Sequence, residues 1–565
     1  MAVGGAGDDV LDGNFGTSDI IDGGPGSDTV TYVNARRPVS IDLAVQLTYD
    51  GVVLDQLISI ENGIGSQFDD LLQGDTGVNR LDGGAGSDTV TYSRSARGVS
   101  IDLGSNGAYD GIAYDTLADI ENAIGSGFDD ILQGNGGSNV FDGGGGLDLV
   151  SYFSSARGVV IDLAAGASFD GVVLDALANI EQAQGSRFDD VLEGDAGSNI
   201  LDGGEGSDTV RYLRSTSGVI IDLGAQLTYD GRVLDGLISI ENAIGSSFND
   251  TIKNGAGANR IDGGDGTDTV DYSASRTGVL IDLGRQTTFD GSSVDILSGI
   301  ENAVGSAFND VFQSSLGNNV ITGGGGVDLV SYVTASLPIR FVAFSRTVTG
   351  GADLLDRLFG IARVAGSGLD DIFLGSSTAP VTGQDVYVVE MDGGIGNDTI
   401  SYDFVTVETD TVVTIDLQTN RASGITGPTT RIDQTLLNFE NVVGSRASDM
   451  IVGNSFDNIL EGGPSVSPSG SSVVIRDTLT GGAGLDTFRF VRGAADGDVV
   501  TDFAGNGAAQ GDRLEFRGFG TAAQGATLTM IDATRYRINS SDGAAQEVIT
   551  IANGAAIDAS DYVFV

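Results

Sequence analysis

The sequence predicts an all-β fold: a parallel β-roll solenoid of tandem 60-residue units, each with a hairpin extension. Three observations carry this. First, the tetrapeptides Ile21-Asp22-Gly23-Gly24, Leu81-Asp82-Gly83-Gly84, Phe141-Asp142-Gly143-Gly144, Leu201-Asp202-Gly203-Gly204, Ile261-Asp262-Gly263-Gly264 and Ile321-Thr322-Gly323-Gly324 recur every 60 residues without a slip. Second, a period of nine appears inside each unit, as in the adjoining stretches Gly65–Gln73, Gly74–Asp82 and Gly83–Thr91. Third, glycine supplies 88 of the 565 residues and proline only 7, which suits many tight turns with positive φ rather than a flexible linker. A fixed long period means that each unit buries its faces against its neighbours.

Each nonapeptide begins with Gly, carries Asp or Asn at its sixth position (Asp70, Asn79, Asp88) and a large apolar residue at its eighth (Leu72, Leu81, Val90). Six Gly-rich residues make a turn whose carbonyls can point inward, because Gly tolerates positive φ. The last three make a short strand. Alternate turns then lie on opposite sides of a flattened right-handed coil, and turns 18 residues apart stack, as Asp70 and Asp88 do. Each turn offers carbonyls and one carboxylate, so two turns supply the roughly 6–8 oxygens that calcium takes. Magnesium, with its smaller octahedral shell and retained waters, suits the arrangement less well.

The same spacing pairs Asp130 with Asp148, Asp190 with Asp208, Asp250 with Asp268 and Asp310 with Asp328. Asp9 pairs with Asp28 if the extra residue near Asp19 is a bulge. Asp371 with Asp398 and Asp449 with Asp486 extend the series at stretched spacings of 27 and 37 residues. The turn glycines Gly65, Gly83, Gly84, Gly86, Gly143, Gly144, Gly203, Gly204, Gly263, Gly264, Gly323 and Gly324 complete the candidate ligand set. Plain turn capping explains an Asp in a turn, but it does not demand Gly at positions one, two and four together. The middle turns carry Asn79, Asn139, Asn199, Asn259 and Asn319, which keep an oxygen and lose the charge. They lack a third nonapeptide to stack on, so their sites are expected to be incomplete, weaker or finished by the next segment.

The remainder of a unit, Tyr92 to Ile124 in the second copy, reads as strand, hairpin and returning strand. Val99 to Leu103 alternates apolar and polar. Tyr109-Asp110-Gly111 is a tight-hairpin signal, with copies at Tyr49-Asp50-Gly51, Phe169-Asp170-Gly171, Tyr229-Asp230-Gly231 and Phe289-Asp290-Gly291. The aromatic tips could form a sugar-binding or self-association ladder. The favoured expectation is that they pack down, since one aromatic per unit is what a small core needs.

Acidic residues number 79 against 28 basic ones, a net charge of −51, while 40% of residues are hydrophobic. That is too apolar for a disordered acidic tail, and such charge disfavours nucleic acid and anionic lipid as partners. Cysteine and histidine are absent, which removes disulfides, thiolate and imidazole metal sites, and His-dependent catalytic sets. Oxygen donors for a hard cation remain. The N-terminal residues show no Sec-type leader, and no apolar stretch of transmembrane length occurs.

Gly83-Gly84-Ala85-Gly86-Ser87-Asp88-Thr89-Val90-Thr91 matches the pattern GGxGxDxUx at every defined position, and the chain resembles the RTX (hemolysin-type calcium-binding) proteins. Ile120-Glu121-Asn122-Ala123-Ile124-Gly125-Ser126, leading into Phe128-Asp129-Asp130-Ile131-Leu132, is similar to the C-terminal roll of serralysin-type secreted proteases. The resemblance implies multiple Ca2+ ions, export of the unfolded chain through an ABC-type (type I) exporter, and folding outside the cell. It divides the chain into a regular array (1–335), degenerate repeats with insertions (336–476, with a linker at Pro464–Ser472) and a C-terminal cap with the secretion-signal region (477–565). Asp498–Phe503 and Gly511–Phe516 resemble the β-rich end segment, and Asp561–Val565 either the uncleaved signal or an ordinary last strand.

The expected role is non-enzymatic: a calcium-dependent extracellular or cell-surface protein of a surface layer, adhesin or matrix. Its expected partners are further copies of itself or cell-surface polysaccharide, without membrane insertion. The alternative is the accessory RTX portion of a secreted polysaccharide- or lipid-acting enzyme, with the irregular stretch Leu337–Met391 as the candidate place for chemistry.

Overall fold

In each nonapeptide the last three residues form a strand with its central side chain turned inward. Leu71–Gln73, Arg80–Asp82 and Thr89–Thr91 are such strands, and Leu72, Leu81 and Val90 are fully buried. The computed structural model describes all residues except 14–15, 352–353, 378–387, 406–411, 428–429, 465–474 and 506–509. Successive strands go to alternate sheets. Leu72 therefore stands beside Val90, and Leu132 beside Val150, in parallel register 18 residues apart. Three-residue strands cannot stand alone. They persist because strands such as Leu71–Gln73 and Thr89–Thr91 are bonded to a strand on either side and bury their apolar centres.

The chain divides into two compact units, Met1–Asp268 with Ile296–Gly299, and Thr269–Asp295 with Ile300–Val565. Each unit, taken by itself, contains mainly parallel strand ladders. Among the described residues there is no α-helix, and no helix is long and apolar enough to cross a membrane.

The hairpin does more than extend the roll. Gly107–Tyr109 is antiparallel to both Ser100–Asp102 and Tyr114–Ala118, so it is an inserted sheet strand. Its neighbours rejoin the parallel ladder, Tyr114–Ala118 on Arg80–Asp82 and Ser100–Asp102 on Ile131–Gln133. Because the hairpin's three strands stay in one sheet, the chain enters its next unit on the opposite sheet. In the first compact unit the hairpins at Leu47–Tyr49, Gly107–Tyr109, Ala167–Phe169 and Leu227–Tyr229 therefore alternate between the two sheets.

The hairpin aromatics do not pack down as expected. Tyr49, Tyr109, Phe169, Tyr229 and Phe289 are all exposed, Tyr109 at 48%. Strand alternation gives the reason: the inward position is the preceding residue, which is small or hydroxylic (Thr48, Ala108, Ser168, Thr228, Thr288) and buried. The core takes its aromatic from the residue after the third nonapeptide, as in the buried Tyr32, Tyr92, Tyr212, Tyr272 and Tyr332. Tyr92 donates to Asp115 at 2.8 Å and Tyr212 to Asp235 at 2.9 Å, fastening each hairpin to the roll. Removing one buried partner strands the other. Tyr212→Phe is expected to cost about 1–3 kcal/mol in denaturant unfolding at saturating calcium, against within about 0.5 kcal/mol for Tyr229→Ser at the surface.

The C-terminal part replaces the repeat with an antiparallel meander, Thr527–Met530, Arg535–Asn539 and Gln546–Ile551. The expected terminal segment forms a strand: Tyr562–Phe564 pairs in parallel with Arg513–Arg517, and Phe564 is buried. Of the expected linker, residues 465–472 lie outside the described residues.

Candidate metal centre

Along the edge of the roll the acidic turns form a hydrogen-bonded column. In the second unit Val39 N–H donates to Asp70 Oδ1 at 2.7 Å, Asp70 N–H to Asp88 Oδ1 at 2.7 Å, and Asp88 N–H to Glu121 Oε2 at 2.9 Å. The Glu121 carbonyl then accepts Asn139 Nδ2 at 2.6 Å, and Asn139 N–H donates to Asp175 Oδ1 at 2.9 Å. In each of these layers except that of Glu121, whose carbonyl takes the Asn139 amide, a backbone N–H reads the carboxylate of the next.

The predicted pairs meet in this way. The first member's N–H donates to the second's Oδ1 for Asp130 and Asp148, Asp190 and Asp208, Asp250 and Asp268, and Asp310 and Asp328, at 2.7–2.8 Å. Asp9 with Asp28 (2.8 Å) and Asp371 with Asp398 (2.6 Å) follow despite their irregular spacing. Asp449 and Asp486 do not pair. Asp449 N–H donates to Asp477, and Asp486 accepts from Asn458. The nonapeptide from Gly462 to Asp477 holds an insertion, so spacing arithmetic skipped a turn and landed on the opposite edge. Four Asn turns are completed by a carboxylate of the next segment: Asn79 N–H meets Asp115, Asn139 N–H Asp175, Asn199 N–H Asp235 and Asn319 N–H Asp356.

The two members of a pair differ. Both oxygens of Asp70 are engaged: its carboxylate takes Val39 N–H and both the N–H and hydroxyl of Ser66. Asp130 and Asp190 repeat this with Ser126 and Ser186. The second members carry an oxygen that nothing satisfies. Oδ2 of Asp28, Asp88, Asp148, Asp208, Asp328, Asp398 and Asp477 is buried and takes no hydrogen bond. Burial pushes Asp88 and Asp148 up to about 6 and Asp208 and Asp398 up to about 7, with the carboxylates below and above adding to the shift.

A buried unpaired carboxylate oxygen is costly unless a cation or a proton meets it. Among the described residues no three carboxylates converge on one point. The donors on offer are instead one carboxylate per layer plus the carbonyls of glycine-rich turns, an oxygen-only set that fits calcium. Glycine is required where the layers touch. A Cβ on Gly84 would come closer than 3.0 Å to the Ser66 carbonyl oxygen, at φ +93°, whereas Gly111, at φ +88°, faces open space. Gly84→Ala is expected to cost more than Gly111→Ala, by the roughly 1–3 kcal/mol of an overpacked contact, in unfolding at fixed calcium.

Sequence reasoning missed the Glu of the Ile-Glu-Asn motif (Glu61, Glu121 and Glu241, with Ile-Glu-Gln at Glu181) and the buried Asp115 series. Their 60-residue recurrence was the available signal.

A family model described as RTX calcium-binding nonapeptide repeat (4 copies) matches residues 2–30, 64–94, 116–150, 177–210, 241–274 and 297–331. No curated protein matches the chain. The six matched stretches contain every paired aspartate from Asp9 to Asp328. The chain thus carries six blocks of the RTX calcium-binding nonapeptide repeat, the first beginning at residue 2 and the last ending at residue 331.

Proposed function

We propose that this chain is a calcium-dependent structural protein of the extracellular or cell-surface space, without catalytic activity, binding several Ca2+ ions. It passes an ABC-type exporter unfolded and folds outside. The observation that supports this most is the series of buried, unsatisfied carboxylate oxygens in a chain of net charge −51. Where calcium is scarce those charges oppose the compact state. At the millimolar levels that extracellular sites are tuned to, at Kd of about 10⁻⁴–10⁻³ M, binding energy becomes folding energy.

The outward faces favour lateral association. Tyr109 stands opposite Tyr114 and Phe169 opposite Leu174, and all four side chains are exposed. These apolar pairs recur with the hairpins and alternate between the sheets in the first compact unit, so each sheet there carries its own strip. A second copy of the chain, as in a surface layer or matrix, covers such strips on both sides. Cell-surface polysaccharide, stacking on the rings, is the competing partner. Sedimentation of the purified chain across a calcium series is expected to show calcium-dependent multimers, reduced by Tyr109→Ser with Tyr114→Ser. A calcium-bound form that stays monomeric at all concentrations overturns the assembly reading.

A further inference from the structure

We infer that the blocks hold a cation position outside the nonapeptide pair, between the third nonapeptide turn and the three-residue bend that follows the hairpin. Its donors in the second unit are Asp88 Oδ2, the Asp119 carbonyl and the Glu121 carboxylate. This rests on the calcium reading above and adds to it a place and a ligand that the nine-residue pattern does not contain.

Two oxygens face each other there across Gly83. A Cβ on Gly83 would lie within 3.0 Å of both Asp88 Oδ2 and the Asp119 carbonyl oxygen. Asp88 is fully buried and its Oδ2 takes no hydrogen bond. Glu121 Oε2 accepts Asp88 N–H at 2.9 Å, which brings a second carboxylate against the first. Two adjacent carboxylates and a carbonyl, with no donor for the buried oxygen, call for a cation.

The gap one layer below is a built-in comparison. There a Cβ on Gly65 would meet Asp70 Oδ2 and the Gly83 carbonyl oxygen, the same oxygen frame. Its carboxylate, however, already has both oxygens hydrogen-bonded, to Ser66 and Val39. The unmet demand lies in the upper gap.

The arrangement recurs. Asp28 with the Ser59 carbonyl and Glu61, Asp148 with Asn179 and Glu181, Asp208 with Ser239 and Glu241, and Asp398 with Asn438 and Glu440 repeat every contact. The carbonyl-bearing residue is left-handed each time, at φ +46° to +55° for Ser59, Asp119, Asn179, Ser239 and Asn438. Non-glycine residues adopt that conformation uncommonly, Asn and Asp more often than Ser. One copy lacks the acid: Asp328 faces the Gly360 carbonyl across Gly323, but Ala362 stands where the others have Glu.

The test is calcium binding by the full chain, read by equilibrium dialysis and calorimetry, with circular dichroism at saturating calcium to confirm the fold. Glu121→Gln, Glu181→Gln and Glu241→Gln are each expected to weaken one ion by about tenfold or more, since ligand charge sets affinity. Ala362→Glu is expected to tighten one ion by a similar factor. Wild-type count and affinity in the Gln variants, with one ion lost in Asp208→Asn, place the ion between the nonapeptides and overturn the inference while calcium binding stands. If the Gln variants fail to fold, Ala362→Glu decides alone, and no gain in affinity overturns it. A wild-type chain that binds no calcium removes both readings.

Discussion

Stripped of divalent ions at neutral pH, the chain is expected to lose most of its β-sheet signal, and calcium in the millimolar range to restore it. The oxygens of Asp28, Asp88, Asp148, Asp208, Asp328, Asp398 and Asp477 that take no hydrogen bond are spread along both compact units, so the loss should be global rather than local. An ion held at about ten times its Kd stabilises the folded chain by RT ln(1 + [L]/Kd), about 1.4 kcal/mol per site. Several such sites together rival the roughly 5–15 kcal/mol by which ordinary domains are stable. Far-ultraviolet circular dichroism during a calcium titration reads this directly. Magnesium at the same concentration should restore much less, because it surrenders its waters reluctantly and demands a tighter octahedron.

Acid should partly replace the metal. In the ion-free folded state Asp88, Asp148 and Asp328 are raised to about 6 and Asp208 and Asp398 to about 7, from an ordinary value of 3.8, chiefly by burial. A carboxyl with a raised folded-state pKa binds more protons folded than unfolded. Between about pH 4 and 7 the stability of the ion-free roll therefore falls as pH rises, the reverse of the usual salt-bridged carboxylate. The metal-stripped chain is expected to recover β-structure on acidification to about pH 4–5 and to lose it on return to neutrality. In calcium the sign inverts, because protons compete with the ion for the same oxygens. A pH titration by circular dichroism with and without calcium checks both signs. A stripped chain that stays unfolded at every pH contradicts the assignment of these carboxylates as the destabilising groups.

The roll itself was legible because its determinants are local and periodic. Gly at positions one and two, Asp at six and an apolar residue at eight fix turn, column and core in nine residues, and the register of Leu72 on Val90 follows by counting. What stayed hidden depends on neighbours that counting does not reach. Tyr109 faces outward because a three-residue strand gives its one inward position to Ala108, and Tyr92 already fills the core. Asp477 escaped notice because an insertion separates it from the glycines of its own turn, and Asp449 was assigned the wrong partner as a result. Glu121 reads in sequence as the lead-in to a strand. Only the hairpin's return brings it over Asp88, and no spacing rule for nonapeptides contains that step.

Direct counting of bound calcium tests the central claim best. The folded wild-type chain at millimolar calcium should hold several ions, and replacing Asp88, Asp148 and Asp208 by Asn should lower the count by at least one ion per substitution. A fully folded chain that carries no calcium under those conditions, or one whose count is indifferent to these three aspartates, contradicts it.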